Sequence, residues 1–265
     1  MRIKKLFKLP LIIVFIVTII FVTFVFTNFS TSAVEITRID FIGAANLPTG
    51  IKFQNIELGG LSGITYDADN QAYYVISDDR SQKSAARFYT VKINLNGDSF
   101  KKSDIEIVKM TTLKDENGRT FAAGTIDPEG IALNNSSIFV SSEGNADTGI
   151  NPFIKEFSLD TGEEISSLSI PQKFLPSPDK KQGIRNNLAF ESLTITPDKK
   201  YLFSATENAL IQDGEKAQPN QGSLCRILQY NLLTKQIERE FIYPTKSVSP
   251  LENLPVSLKN GLTNL

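Results

Sequence analysis

One stretch of sequence recurs three times in this chain, and its period limits the available folds more than any other feature. In the first copy, residues 64–66 alternate apolar and polar side chains as a half-buried strand does, Asp67-Ala68-Asp69-Asn70-Gln71 supplies turn residues, and 73–77 returns. That return runs into Ser77-Asp78-Asp79-Arg80, followed by strands at 88–95 and 105–110. The second copy opens with Asp127-Pro128-Glu129-Gly130 and has strands at 131–133, 138–141, 154–159 and 165–170, with Ser142-Glu143-Gly144 after its second strand. The third opens with Phe190-Glu191-Ser192, has strands at 193–196, 201–205, 225–232 and 237–243, and places Thr206-Glu207 after its second strand. The acidic ends Asp78, Glu143 and Glu207 stand 65 and 64 residues apart, and the third-strand ends Leu95, Leu159 and Leu232 stand 64 and 73 apart.

A four-stranded antiparallel unit with such a period reads as the blade of a β-propeller, with a sandwich of coincidental spacing as the competing reading. No amphipathic helix competes for the body of the chain. The predicted fold class is therefore all-β and propeller-like, with about three blades plus one N-terminal strand at 34–41. A closed ring takes about four to eight blades, so three copies predict an open arc. One side of the first blade and one side of the third are then expected to lie uncovered. Residues 245–265 read as an irregular tail, and the propeller-like domain as 34–244.

Residues 1–8 are basic and 9–29 are almost continuously apolar, followed by Thr31-Ser32-Ala33. The apolar run has 21 residues, the length of a membrane span, whereas the small residues after it suit signal-peptide cleavage. Segment 1–33 is thus expected to be a signal peptide or an N-terminal membrane anchor. Either alternative exports the body to the periplasm or the outside, free or held at the membrane.

Absences narrow the chemistry. The chain has no histidine and one cysteine, Cys225. A Ser-His-Asp triad, histidine phosphotransfer, histidine metal ligation, an internal disulfide and a thiolate zinc site are all excluded. The four basic residues before Val34 belong to the leader, which leaves 24 Lys and Arg against 29 Asp and Glu in the body. A body of that sign offers no broad electrostatic surface for nucleic acid. Chemistry must come from carboxylates, arginines, hydroxyls, amides or a bound metal.

In a propeller the first strand of each blade lines the axis. Glu129 and Glu191 stand just before two such strands, with Ser62 and Gly63 in the equivalent place of the first copy. Carboxylates from different blades that meet at an axis repel unless a cation neutralises them. An oxygen-ligated Ca²⁺ held by Glu129 and Glu191, with amides such as Asn187, is one expectation. Glutamates that cap loops or pair with arginine are the other. Arg80, Arg87, Arg185 and Arg226 form a basic set near the acidic ends, suited to bidentate phosphate or carboxylate recognition or to ion pairs between blades.

The strings GGLSGITYD, YYVISDDRS and ARFYTV, then DPEGIAL and IFVSSEG, then GIRNNLAFESLTITPD and LFSATENAL, taken in this order, resemble the "esterase-like activity of phytase" family from residue 57 to 243. The resemblance implies an exported propeller-like domain that hydrolyses phosphoesters through acidic residues, and members that continue past the position of Tyr243. On that basis Glu129, Glu191 and Asp78 are the expected catalytic residues. Arg80, Arg87, Arg185 and Asn187 are the expected ligands of a small anionic phosphoester. A calcium-dependent lactonase and a non-catalytic propeller that binds an anionic ligand or partner are the alternatives.

Overall fold

The computed structural model describes residues 36–97 and 99–247. The chain divides into two units, Met1–Ile42 and Gly43–Leu265. In the first unit the described residues, 36–42, form no strand, and Ile36, Ile39 and Phe41 are exposed. The strand expected at 34–41 is therefore corrected over its described part. Alternating apolar residues do not make a strand where no neighbour takes up the backbone hydrogen bonds. The apolar segment 9–29 and the tail beyond 247 lie outside the described residues. Among the described residues no helix is long and apolar enough to cross a membrane.

The second unit is all-β, with helical structure limited to three-residue turns among its described residues. A short hairpin of β1 (Lys52–Phe53) and β2 (Ile56–Glu57) comes first; sequence periodicity does not reveal it because each strand is only two residues long. Three four-stranded antiparallel meanders follow. Blade one comprises β3 (Leu61–Asp67), β4 (Ala72–Ser77), β5 (Arg87–Ile93) and β6 (Ile105–Thr112). Blade two comprises β7 (Pro128–Asn134), β8 (Ser137–Ser142), β9 (Phe153–Ser158) and β10 (Glu164–Leu168). Blade three comprises β11 (Phe190–Ile195), β12 (Tyr201–Thr206), β13 (Leu224–Asn231) and β14 (Gln236–Pro244). Each lies within a few residues of its expected place. The innermost strands β3, β7 and β11 lie side by side, each in its own sheet, so the units are propeller blades.

Side-chain alternation decides how the blades stack. From β8, Ile138 and Val140 face blade one, where they meet Ile76 and Phe88; Phe139 faces blade three, where it meets Leu202 and Leu228. Every residue of β8 is consequently buried, as in a strand covered on both faces, whereas β12 alternates between half-buried and buried because only one of its faces is covered. Each fully buried Leu, Ile or Phe is stabilised by about 1.5–3 kcal/mol relative to exposure, so the two inter-blade cores hold the arc together. The outer blades have the uncovered faces that the repeat count predicts. Ile64 and Tyr66 in β3 are 57% and 50% exposed, while Ile131 and Leu133 at the matching places in β7 are buried. On blade three Phe241 and Tyr243 are exposed. Blade one is partly covered after all: Leu47, Phe53 and Leu58, from the segment that carries the small hairpin, pack on Val75, Tyr89 and Val91.

The first strand of every blade carries a bulge at one and the same place. Pairing slips between Leu61 and Ile64, between Pro128 and Ile131, and between Phe190 and Ser192. A bulge inserts one extra residue and re-aims side chains, and Ser62, Glu129 and Glu191 lie in these three. Next to them Gly63 and Gly130 let neighbouring inner strands approach. A Cβ on Gly63 would lie 2.6 Å from the Glu129 carbonyl oxygen, and one on Gly130 would lie 2.8 Å from the Leu193 amide nitrogen. Ser192, at the matching position of blade three, has no further blade against it among the described residues and is exposed. Gly130→Ala is expected to lower stability by about 2–3 kcal/mol, the usual cost of overpacking a fixed site. Gly59→Ala, where an added Cβ meets nothing within 4 Å, should stay within about 0.5 kcal/mol in the same urea titration. Equal effects of the two substitutions would contradict the close-approach role.

Candidate functional site at the blade axis

The same backbone hydrogen bond builds the inner end of all three blades. The amide of the residue after each second strand donates to a carbonyl just ahead of the first: Asp78 to Gly60 (2.7 Å), Glu143 to Asp127 (3.0 Å) and Glu207 to Ala189 (2.7 Å). Two residues beyond each of those carbonyls stands the bulge residue, Ser62, Glu129 or Glu191. The repeat therefore projects two rings of side chains toward the axis, Ser62/Glu129/Glu191 and Asp78/Glu143/Glu207. The second ring was legible in the 65- and 64-residue spacing, yet only Asp78 of it stood among the expected site residues.

Four of these carboxylates and that of Asp127 come together in two overlapping groups, Asp127 with Glu129 and Glu143, and Glu143 with Glu191 and Glu207. Within each group one oxygen of every residue lies within 4.8 Å of the others. Glu143 belongs to both and is buried. Its Oε1 accepts the Ala189 amide, which ties blade two to the entrance of blade three. Glu129 accepts the hydroxyl of Ser62. The Ser142 hydroxyl accepts the Asp127 amide (2.9 Å), and the Ser141 hydroxyl accepts the Gly130 amide (2.8 Å) while donating to the Phe190 carbonyl (3.2 Å). These serines occupy strand positions where a hydrophobic residue would leave bulge amides unsatisfied.

Arg80 is the arginine that joins the cluster. It pairs with Asp127 at 2.6 Å and donates to Asn187, so one blade-one side chain reaches the entrances of blades two and three. Asp79 builds the loop around it by accepting the amides of Gln82, Lys83 and Ser84.

The guanidinium groups of the other two expected anion-binding arginines are engaged by the protein itself, Arg87 at the cleft and Arg185 away from it, which corrects those assignments. Arg87 is buried with its guanidinium spent on Asp79 (2.9 Å), the Tyr89 hydroxyl (2.7 Å) and the Glu57 carbonyl (3.1 Å). Arg185 clamps the carbonyls of Ala209 and Gly214, which braces a loop of blade three. Arg226 is likewise engaged, by Asp213 and Glu240, both at 2.7 Å. Buried guanidinium groups need such partners, and the partners consume their donors. Cys225 is buried and donates to the Glu207 carbonyl at 2.9 Å, an inert core position.

Charge bookkeeping at the axis is unfavourable. Burial pushes the Glu129 carboxyl up to about 7, with Asp127, Glu143 and Asp78 adding to the effect against the Ser62 hydrogen bond. Burial also pushes Asp127 up to about 6 despite Arg80. Glu191 is raised strongly, by burial first and then by Glu143 and Glu129, and Glu207 is raised by burial and Glu143. Beside this cluster a cleft of 280 Å³ opens, lined by Asp127, Glu129 and the exposed Asp78 together with Arg80 and Lys83. All the donors are oxygens, as a hard divalent cation requires, and among the described residues the one cation directly paired within the cluster is Arg80. The residues fit such an ion, which Glu143 would hold together with Glu129 and Asp127 or with Glu191 and Glu207.

A family model for phytase-like proteins, described as esterase-like activity of phytase, matches residues 56–265. The chain belongs to this family. No curated protein matches this phytase-like chain. Solved structures similar to it include a periplasmic gluconolactonase from Pseudomonas aeruginosa, at 11% identity and a TM-score of 0.38 over 75% of this chain and 60% of that one. Others are a hypothetical selenium-binding protein from Sulfolobus tokodaii, at 15% and 0.40 over 71% of this chain and 40% of that one, and the Dos1 propeller, at 9% and 0.36 over 71% and 38%. The chain therefore spans between 38% and 60% of the length of these structures.

Raised carboxyl pKa values set a sign for pH dependence. Asp127 and Glu129 bind protons more tightly folded than unfolded. Between pH of about 4.5 and 7 the folded state therefore holds more protons, and stability falls as pH rises. Asp67, Asp79 and Glu156, whose carboxyls are lowered, lose their contribution only below that window. The metal-free protein is expected to melt several degrees higher at pH 5 than at pH 8, and millimolar Ca²⁺ should remove most of the difference. A flat profile in differential scanning calorimetry would contradict the buried, unneutralised cluster.

Proposed function

We propose that this phytase-like chain is a metal-assisted hydrolase of phosphoesters that works at the inner end of its blades. The observation that supports the reading is the pair of carboxylate groups that share Glu143, one with Asp127 and Glu129 and one with Glu191 and Glu207, beside a cleft that carries Arg80 and Lys83. The all-oxygen donor set suits Ca²⁺, which when bound would polarise an ester oxygen and offset charge gathered there in the transition state. Glu129, Glu143 and Glu191 hold that charge in place. Arg80, steadied by Asp127 and Asn187, and Lys83, on the open rim, orient the anionic group of the ester. Asp78, exposed on the cleft wall, takes the proton of the attacking water. Buried carboxylates also keep bulk water away from the positive centre. The basic and then apolar sequence at residues 1–29 supports an activity outside the cytoplasm, at the membrane or beyond it.

The test is hydrolysis of p-nitrophenyl phosphate, bis-p-nitrophenyl phosphate and a lactone, with Ca²⁺ and with chelator. Turnover of a phosphoester that chelator abolishes is the expected result. Glu129→Gln should lower kcat/KM by about 100-fold or more, the scale lost when one transition-state-stabilising group is removed, with an unchanged fold by circular dichroism. Lactone turnover alone would favour the calcium-dependent lactonase reading. Ca²⁺ binding with no turnover would favour a module that binds an anionic ligand.

A further inference from the structure

Arg80 and Lys83 reach the cleft from one loop, and that loop is curled around the carboxylate of Asp79. On the hydrolase reading above, we infer that Asp79, locked by its buried pair with Arg87, is a positioning residue for the anionic group of the substrate.

Asp79 stands just past the end of β4, and its Oδ1 accepts the amides of Gln82 (3.0 Å) and Lys83 (3.1 Å). Its Oδ2 accepts the amide of Ser84 and an Nη1 hydrogen of Arg87, both at 2.9 Å. Four donors on two oxygens thus close residues 79–84 into a curl that holds both Arg80 and Lys83. The curl is tight: Ser81 takes a φ of 56°, and its hydroxyl accepts the Ala86 amide at 3.0 Å. The Arg80 carbonyl accepts the Gly124 amide at 2.7 Å, which pins the loop to the segment ahead of blade two.

The pair beneath the curl is buried, with the Arg87 and Asp79 side chains 2% and 8% exposed. Burial alone would raise the Asp79 carboxyl, but Arg87 and the loop amides hold it below the usual carboxylate range, so it stays ionised. Arg87 belongs to β5 and is itself fixed by the Tyr89 hydroxyl and the Glu57 carbonyl, which ties the loop to the sheet. Backbone freedom that a loose loop would lose on binding an anion is therefore removed in advance. An asparagine at 79 offers one oxygen and turns its NH₂ toward one pair of these donors. The Arg87 charge would then be buried without its counterion, and the curl that aims Arg80 and Lys83 would loosen.

The experiment measures kcat and KM separately for bis-p-nitrophenyl phosphate on the full 265-residue chain with saturating Ca²⁺. Asp79→Asn should raise KM about tenfold or more and leave kcat within about twofold, the signature of lost ground-state and transition-state binding together. Arg87→Lys, which keeps a positive charge against Asp79, should hold KM within about threefold. A role in the fold alone would lower the active fraction, and hence kcat, with KM unmoved; that result, or an unchanged KM, overturns the inference and leaves the hydrolase reading standing. No turnover of any probe sinks the hydrolase reading, and the positioning role is then read from the affinity for inorganic phosphate, which Asp79→Asn should weaken by the same factor. If Asp79→Asn does not fold, hydrogen exchange on the unaltered chain decides. The amides of Gln82, Lys83 and Ser84 should be protected without any ligand, and exchange at the rate of an open loop overturns the inference.

Discussion

The structure depends on how closely three inner strands approach one another. Gly63 and Gly130 leave no room for a side chain between one blade's backbone and the next, and the adjoining bulges turn Glu129 and Glu191 inward from that tight seam. Each is thereby brought within 4.8 Å of Glu143, a like charge. At an effective dielectric constant of about 20, two unit charges at that distance repel by about 3–4 kcal/mol. A scaffold with only a handful of net kilocalories in reserve tolerates several such pairs only if they hold protons or share a cation.

The inter-blade cores supply the opposing stability, and the polar seam is wired into them. Phe139 and Ile154 lock blade two onto blade three a few residues from the point where Glu143 accepts the Ala189 amide. Farther out, Lys235 of blade three reaches Glu156 of blade two at 3.3 Å and Ser166 at 2.6 Å, a second polar clasp across the same interface. Displacement of either core would therefore be felt at the axis. Arg80 adds the third constraint, since its contacts to Asp127 and Asn187 tie a blade-one loop to both neighbours.

Much of this architecture was legible in the chain because strands and turns write short-range signals. All twelve blade strands follow from alternation and turn residues, and the acidic period follows from the repeat. The bulges were invisible because a single extra residue changes no local preference, so each first strand starts about three residues earlier than its apolar alternation indicates. The arginines show a different limit. Arg80, Arg87 and Arg185 look alike in sequence, but tertiary neighbours decide that Arg87 is spent on Asp79 and Tyr89, Arg185 on carbonyls, and only Arg80 on the cluster. Asp127 and Glu143 were present in the motifs, and their importance comes from the blade-to-blade contacts that bring them together.

The central claim is that the axial carboxylates form one cation site rather than a set of separate loop caps. Anomalous diffraction from crystals soaked in a lanthanide, a Ca²⁺ surrogate, tests it directly. The account predicts a strong peak within coordinating distance of Glu143 that also touches Glu129 or Glu191, and its loss in Glu143→Gln. Lanthanide peaks confined to surface acids such as Asp115 and Asp160, with the axial carboxylates unbridged, would contradict it.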